Sequence, residues 1–129
     1  MPLVQVDLDR ALYQEKGAQI GEEIHRAQVE IEELQIPDAD KFQIFRVHDE
    51  GEIFGDPRYN DLDRKKLIVV QLLMVNRYPV ALKNRLFGNI ARRLTAIGIR
   101  PQDVFIAVTE NGYEDWLPGL APEDVPTEA

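Results

Sequence analysis

Pro2-Leu3-Val4-Gln5-Val6-Asp7-Leu8 carries the decision about the fold, because apolar Val4, Val6 and Leu8 alternate with polar Gln5 and Asp7 almost from the first residue. Over Leu3–Leu8 that period of two predicts a short strand, which ties the N-terminus into a sheet. Asp9 follows as a helix cap. Beyond it, Ile20, Ile24, Ala27, Ile31 and Leu34 recur at helical spacing, with Glu22, Glu23, Glu30, Glu32 and Glu33 on other faces, and Pro37 is expected to stop the helix. Phe42–Val47 reads as a second strand. Residues 49–65, rich in Asp, Gly, Asn and Pro, form a long irregular connection.

The same order returns in the second half. Leu67–Val75 is a nearly continuous apolar run, expected as a central strand buried on both faces. Pro79 can open a helix in which Leu82, Leu86, Ile90, Leu94 and Ile97 form one stripe. Lys83, Arg85, Arg92 and Arg93 lie largely off it, and Gly98 ends it. Val104–Val108 is the fourth strand. The two halves also share short end pieces: Ile36-Pro37-Asp38-Ala39-Asp40 precedes one strand and Ile99-Arg100-Pro101-Gln102-Asp103 the other. Val47-His48-Asp49-Glu50-Gly51 closes one and Val108-Thr109-Glu110-Asn111-Gly112 the other, matches short enough for chance to compete.

The expected fold is therefore α/β in the α+β sense: two βαβ units with right-handed crossovers share a four-stranded sheet, with both helices on one face. The other face is left uncovered, which predicts burial against further copies of the chain in a closed homo-oligomer. One domain over 1–119 suits a chain of 129 residues, with 120–129 as an extended tail in the last stretch, 117–129, which holds three prolines and three acids.

Composition narrows the function classes. No apolar run approaches the ~18 residues that span a bilayer, and no signal-peptide pattern opens the chain, so a cytoplasmic protein without a membrane partner is expected. With no cysteine and two histidines 23 positions apart, no metal site is expected, and chemistry falls to oxygen and nitrogen groups. A net charge of -8 argues against nucleic acid. The charge is unevenly spread: nine Lys or Arg and no acid lie between Arg64 and Arg100, against six basic and sixteen acidic residues in 1–63. Such a basic block suits anion binding, contact between subunits or simply solvated helix faces.

Met1-Pro2-Leu3, Glu23-Ile24-His25-Arg26-Ala27, Ile36-Pro37-Asp38-Ala39-Asp40-Lys41-Phe42-Gln43, Asn76-Arg77, Lys83, the run Asp103-Val104-Phe105-Ile106-Ala107-Val108-Thr109-Glu110-Asn111, Asp115-Trp116 and Gly119 together form a pattern. In these residues the chain resembles the tautomerase superfamily, and within it the malonate semialdehyde decarboxylase-like group. The resemblance implies a homotrimer acting on a small carboxylate substrate, with no cofactor called for. It also implies that Pro2, once Met1 is removed, serves as a general acid or base for keto-enol proton transfer on a 2-oxo or enol acid. By position alone Pro2 is only a common second residue.

By the same resemblance Arg77 grips the substrate carboxylate, as a planar fork of donors is suited to do, although it also reads as a surface arginine capping loop carbonyls. Asp40 corresponds to an aspartate that orients the proline or a water, and equally reads as a turn residue before a strand, as Asp103 does. Trp116, the only tryptophan, corresponds to an apolar pocket wall and also reads as an anchor for the tail. One position departs from the pattern. The decarboxylase-like group places a second arginine two residues after Arg77, where this chain has Pro79; Arg46 and Arg10 are candidate substitutes, although the sequence does not show either pointing inward. Proton transfer is thereby favoured over decarboxylation or hydration of a semialdehyde, and a non-catalytic trimeric binding protein is the third reading. His25 and His48 read as structural, and Glu110-Asn111-Gly112 as a strand-to-turn signal.

Overall fold

The computed structural model describes residues 2–75 and 77–128. Met1, whose removal the proline chemistry requires, Asn76 of the Asn76-Arg77 pair and Ala129 at the end of the tail lie outside the described residues. The elements are β1 (Pro2–Asp9), α1 (Arg10–Val29), β2 (Gln43–His48), β3 (Ile68–Val75), α2 (Val80–Ala96) and β4 (Val104–Asn111). They form one sheet in the order β2-β1-β3-β4. β1 runs parallel to β2 and antiparallel to β3, and β3 runs parallel to β4, so two βαβ units meet back to back at the centre.

Strand parity decides the layers. Val4, Val6 and Leu8 of β1 and Ile68, Val70, Leu72 and Met74 of β3 are buried beneath Ile20, Ile24 and Ala27 of α1 and Leu86, Ile90 and Leu94 of α2. Both helices thus cover the same face and are tied together where Arg93 bonds Glu23 at 3.0 Å and Glu30 at 2.6 Å. The opposite face is open. Ile44 and Phe105 are exposed there, and Val69 and Leu73 are only half-buried. Expected burial of β3 on both faces is accordingly corrected: among the described residues no helix covers that side, the long connection reaches only the end at Val69 and Phe105, and Gln71 in the middle of the strand is exposed.

Both helix starts follow their caps. Asp9 Oδ1 accepts the Leu12 N–H at 3.0 Å, and Pro79 caps α2 with its ring at a φ of -58°. α2 ends in a Schellman turn: Ile99 N–H donates to Leu94 O, Gly98 N–H to Thr95 O, and Gly98 has a φ of 92° that suits glycine. α1 is shorter than its apolar stripe predicts. It stops at Val29, well before Pro37, and Ile31 and Leu34 are buried from an irregular turn instead. Ile31 is extended and Gln35 is left-handed at a φ of 54°, so the chain leaves helical geometry while keeping both side chains on the core. β4 runs three residues further than Val108, to Asn111. Among the described residues no helix is long and apolar enough to cross a membrane.

Candidate active site at one end of the sheet

The strand directions gather particular chain segments at one end of the sheet. β1 begins there, β2 is entered there, and β3 and β4 leave there. Pro2 lies opposite Met74, and Met74 opposite Glu110, so these three make one row across β1, β3 and β4. Pro2 is buried. On its other side the Val4 N–H donates to Phe42 O at 3.0 Å, which brings the chain entering β2, and Asp40 two residues earlier, to the same end.

Asp40 is half-buried in a turn closed by its own N–H on Pro37 O at 3.0 Å. α1 holds that turn from below. His25, buried on α1, donates from Nε2 to Asp38 O at 2.7 Å. Burial pushes the imidazole pKa down, and the cations Arg26 and Lys41 push it the same way against the smaller opposing pull of Glu22 and Asp40. Arg26 pairs with the Asp38 carboxylate and Lys41 with Glu22 at 3.3 Å. The proposed counterpart Asp103 does different work. It is buried at the far end of the sheet, with Oδ1 accepting the Lys65 N–H at 2.8 Å, because the second βαβ unit runs antiparallel to the first.

Arg77 is exposed in the connection between β3 and α2. Among the described residues its side chain makes no hydrogen bond or ion pair. Its neighbour Tyr78 is fixed at both ends: the backbone N–H donates to Glu110 Oε2 at 2.7 Å, and the hydroxyl to Leu34 O at 3.3 Å. Lys83, one turn into α2, takes the other Glu110 oxygen at 2.8 Å. The Lys83 bond holds the Glu110 carboxyl below its ordinary pKa against the effect of burial, with help from the Tyr78 N–H and the charges of Lys83 and Arg77. Trp116 is half-buried just beyond β4, and its Nε1–H donates to Asn111 Oδ1 at 2.7 Å.

Pro2, Asp40, Arg77 and Trp116 are thus carried to one end of the sheet by four different segments. Arg46 and Arg10 are not. Arg46 bonds Asp7 at 2.8 Å and Arg10 bonds Asp49 at 2.7 Å, both toward the opposite end of β1. Asp7 is five residues from Pro2, roughly 17 Å along an extended strand. Neither arginine of this chain therefore stands in for the cation absent at Pro79. A cavity of about 720 Å³, lined by Asp9, Arg10, His48, Asp49 and Lys66 among others, also lies at that opposite end. Three of the cations that line it have partners: Arg10 is bonded by Asp49, Lys66 by Asp9 at 3.0 Å, and Arg64 by Tyr59 O at 2.8 Å.

Glu110 and Lys83 were not singled out as site residues by the sequence reading. The signal was present in β4, where Val104, Ile106 and Val108 pack on the core and parity places Glu110 on the same inward side. A carboxylate at an inward position needs partners, and the structure supplies two.

A family model described as "Tautomerase enzyme" matches residues 40–117 of the chain. The chain is similar to "Probable tautomerase YusQ" of Bacillus subtilis (strain 168), 32% identical over 118 residues that cover 90% of this chain and 91% of that protein. Among solved structures it is similar to FG41 malonate semialdehyde decarboxylase inhibited by 3-bromopropiolate, with a TM-score of 0.85, 32% identity, and coverage of 92% of this chain and 89% of that one. A fused 4-OT wild-type symmetric trimer shares the fold at a TM-score of 0.71 and 16% identity, with 93% and 92% of the two chains covered.

Proposed function

Because the chain belongs to the tautomerase enzyme family, we propose that it interconverts the keto and enol forms of a small 2-oxo carboxylic acid, with Pro2 as the proton carrier. The observation that carries this reading is the burial of Pro2 at the head of β1, opposite Met74, at the end of the sheet that also holds Asp40, Arg77 and Trp116. Removal of Met1 turns a non-basic amide nitrogen into a secondary amine. Burial disfavours its ammonium form and brings its pKa toward neutrality, where a group both takes and returns a proton efficiently. The amine accepts the enol hydroxyl proton as the carbonyl forms, and the ammonium delivers a proton to the adjacent carbon. One O–H bond is exchanged for one C–H bond with no net change in charge.

In this reading Arg77 binds the carboxylate through two parallel N–H donors, a role supported by its exposed guanidinium, free of side-chain partners among the described residues. Asp40 favours the ammonium form and so tunes the proline, and Trp116 walls the site with apolar surface. The working assembly is a homotrimer, supported by the open sheet face and by the trimer described for a neighbour of the same fold. A second reading, decarboxylation or hydration of a three-carbon semialdehyde or acetylenic acid with Asp40 activating water, is favoured by the likeness to the FG41 decarboxylase. Weighing against it, Pro79 stands where the decarboxylase-like group has a second cation, and Arg46 and Arg10 are held toward the opposite end of β1. Assays of phenylenolpyruvate ketonisation beside malonate semialdehyde and 2-oxo-3-pentynoate separate the two. Ketonisation is expected to dominate; faster turnover of malonate semialdehyde would reverse the order.

A further inference from the structure

Arg77 directly precedes Tyr78, whose N–H is held by the Glu110 carboxylate, yet among the described residues no ion pair joins Arg77 to that carboxylate. Glu110 lies on β4 in the row of Pro2 and Met74, and both of its oxygens are engaged: Oε2 by the Tyr78 N–H at 2.7 Å and Oε1 by Lys83 Nζ at 2.8 Å. Glu110 and Lys83 are both largely shielded from solvent, at 17% and 27% side-chain exposure, which strengthens the pair relative to an exposed one. The Tyr78 hydroxyl on Leu34 O and the fixed ring of Pro79 immobilise the next two residues of the same connection. A guanidinium next to an unsatisfied carboxylate would close on it and be lost to an incoming anion. Here the ammonium of Lys83 neutralises that carboxylate first.

We propose that the Lys83–Glu110 pair is a positioning device for Arg77: Glu110 fixes the backbone at Tyr78, and Lys83 occupies the carboxylate so that the guanidinium stays available to a substrate carboxylate. This rests on the reading of Arg77 as the carboxylate-binding residue. Neither Lys83 nor Glu110 touches substrate in this arrangement. Both act through Arg77, so their loss appears in substrate affinity and not in the proton-transfer step.

Steady-state kinetics with phenylenolpyruvate test this in the full-length mature protein. Lys83→Met is expected to raise KM about tenfold while kcat stays within about threefold, the pattern of lost uniform binding. Adding Glu110→Gln to that variant is expected to restore KM to within about threefold of the parent, because the amide carries no charge to hold the arginine but still accepts the Tyr78 N–H. A KM unchanged in Lys83→Met, or equally raised in the double variant, overturns the proposal. Arg77→Ala separates the two levels. If it leaves KM unchanged, the carboxylate reading itself fails; if it raises KM while Lys83→Met does not, only the present inference fails. Hydrogen exchange at the Tyr78 amide covers the case of a poorly folded Lys83 variant. Glu110→Ala is expected to speed exchange about tenfold and Glu110→Gln to leave it within about threefold, whereas equal protection in both contradicts the clamp.

Discussion

Asp7 shows how a single side chain on the open face is held. It is buried between Arg46 Nη2 at 2.8 Å and His48 Nε2 at 2.7 Å, each donating to one carboxylate oxygen. Burial alone would raise its pKa, but the hydrogen bonds from Arg46 and His48, with their charges, bring it below 3.8. A carboxyl whose folded pKa lies below its unfolded one stabilises the fold above the unfolded value and loses that contribution as the pH falls through the folded one. Asp7→Asn is therefore expected to cost about 2 kcal/mol at pH 7 by urea denaturation, with the gap to the parent closing below pH 3.8. A gap constant down to pH 2 would contradict it. Such pairings are hard to read in a sequence. Parity placed Asp7 on the polar side of β1, but its partners come from 39 and 41 residues away, and only the parallel register of β1 and β2 brings them across. Motif resemblance points to the candidate residues Pro2, Asp40, Arg77 and Trp116, whereas for Glu110 the sequence offers only inward parity, and its partners Tyr78 and Lys83 emerge from the fold.

At the scale of elements, the close approach of α1 to β2 depends on Gly21. The Gln43 amide donates to Gly21 O at 2.8 Å, and a β-carbon at Gly21 would stand 2.6 Å from the Gln43 side-chain oxygen and 3.0 Å from the Phe45 ring. The flexible amide can yield, but a ring packed against the core cannot move far. Gly21→Val is thus expected to destabilise by about 2 kcal/mol through overpacking, which lowers Tm by roughly 4–8 °C in calorimetry. An unchanged or higher Tm would show that α1 is free to shift. Elements were the best-predicted level: Asp9, Pro79 and Gly98 mark helix ends where their chemistry says they do. The end of α1 was misread for a physical reason. Ile31 and Leu34 continue the apolar stripe because they must be buried, and periodicity reports burial without reporting whether the backbone beneath is helical.

For the molecule as a whole, the layer arithmetic leaves one side unfinished. Two helices cover one face of four strands, and the other face presents Ile44 and Phe105, each 45% exposed, toward solvent, with Val69 and Leu73 between them. An apolar sheet face of this kind calls for covering by further copies of the chain. Sedimentation equilibrium is expected to give one species of about three times 14.8 kDa, and a chain carrying both Ile44→Asp and Phe105→Asp is expected to sediment as a folded monomer. A parent protein that sediments as a monomer would remove the trimer from the account. The open face was foreseeable from sequence, since two βαβ units supply just two helices, both on one side.

A buried prolyl amine at the head of β1 is the group proposed to move the proton, and one paired measurement tests it: intact mass of the purified protein together with kcat/KM for phenylenolpyruvate ketonisation in the parent and in Pro2→Ala. The prediction is a mass lacking Met1 in the active protein and a loss of at least about a hundredfold on substitution, the scale of a missing general acid-base group. An active protein that retains Met1, or a Pro2→Ala variant as fast as the parent, would contradict it.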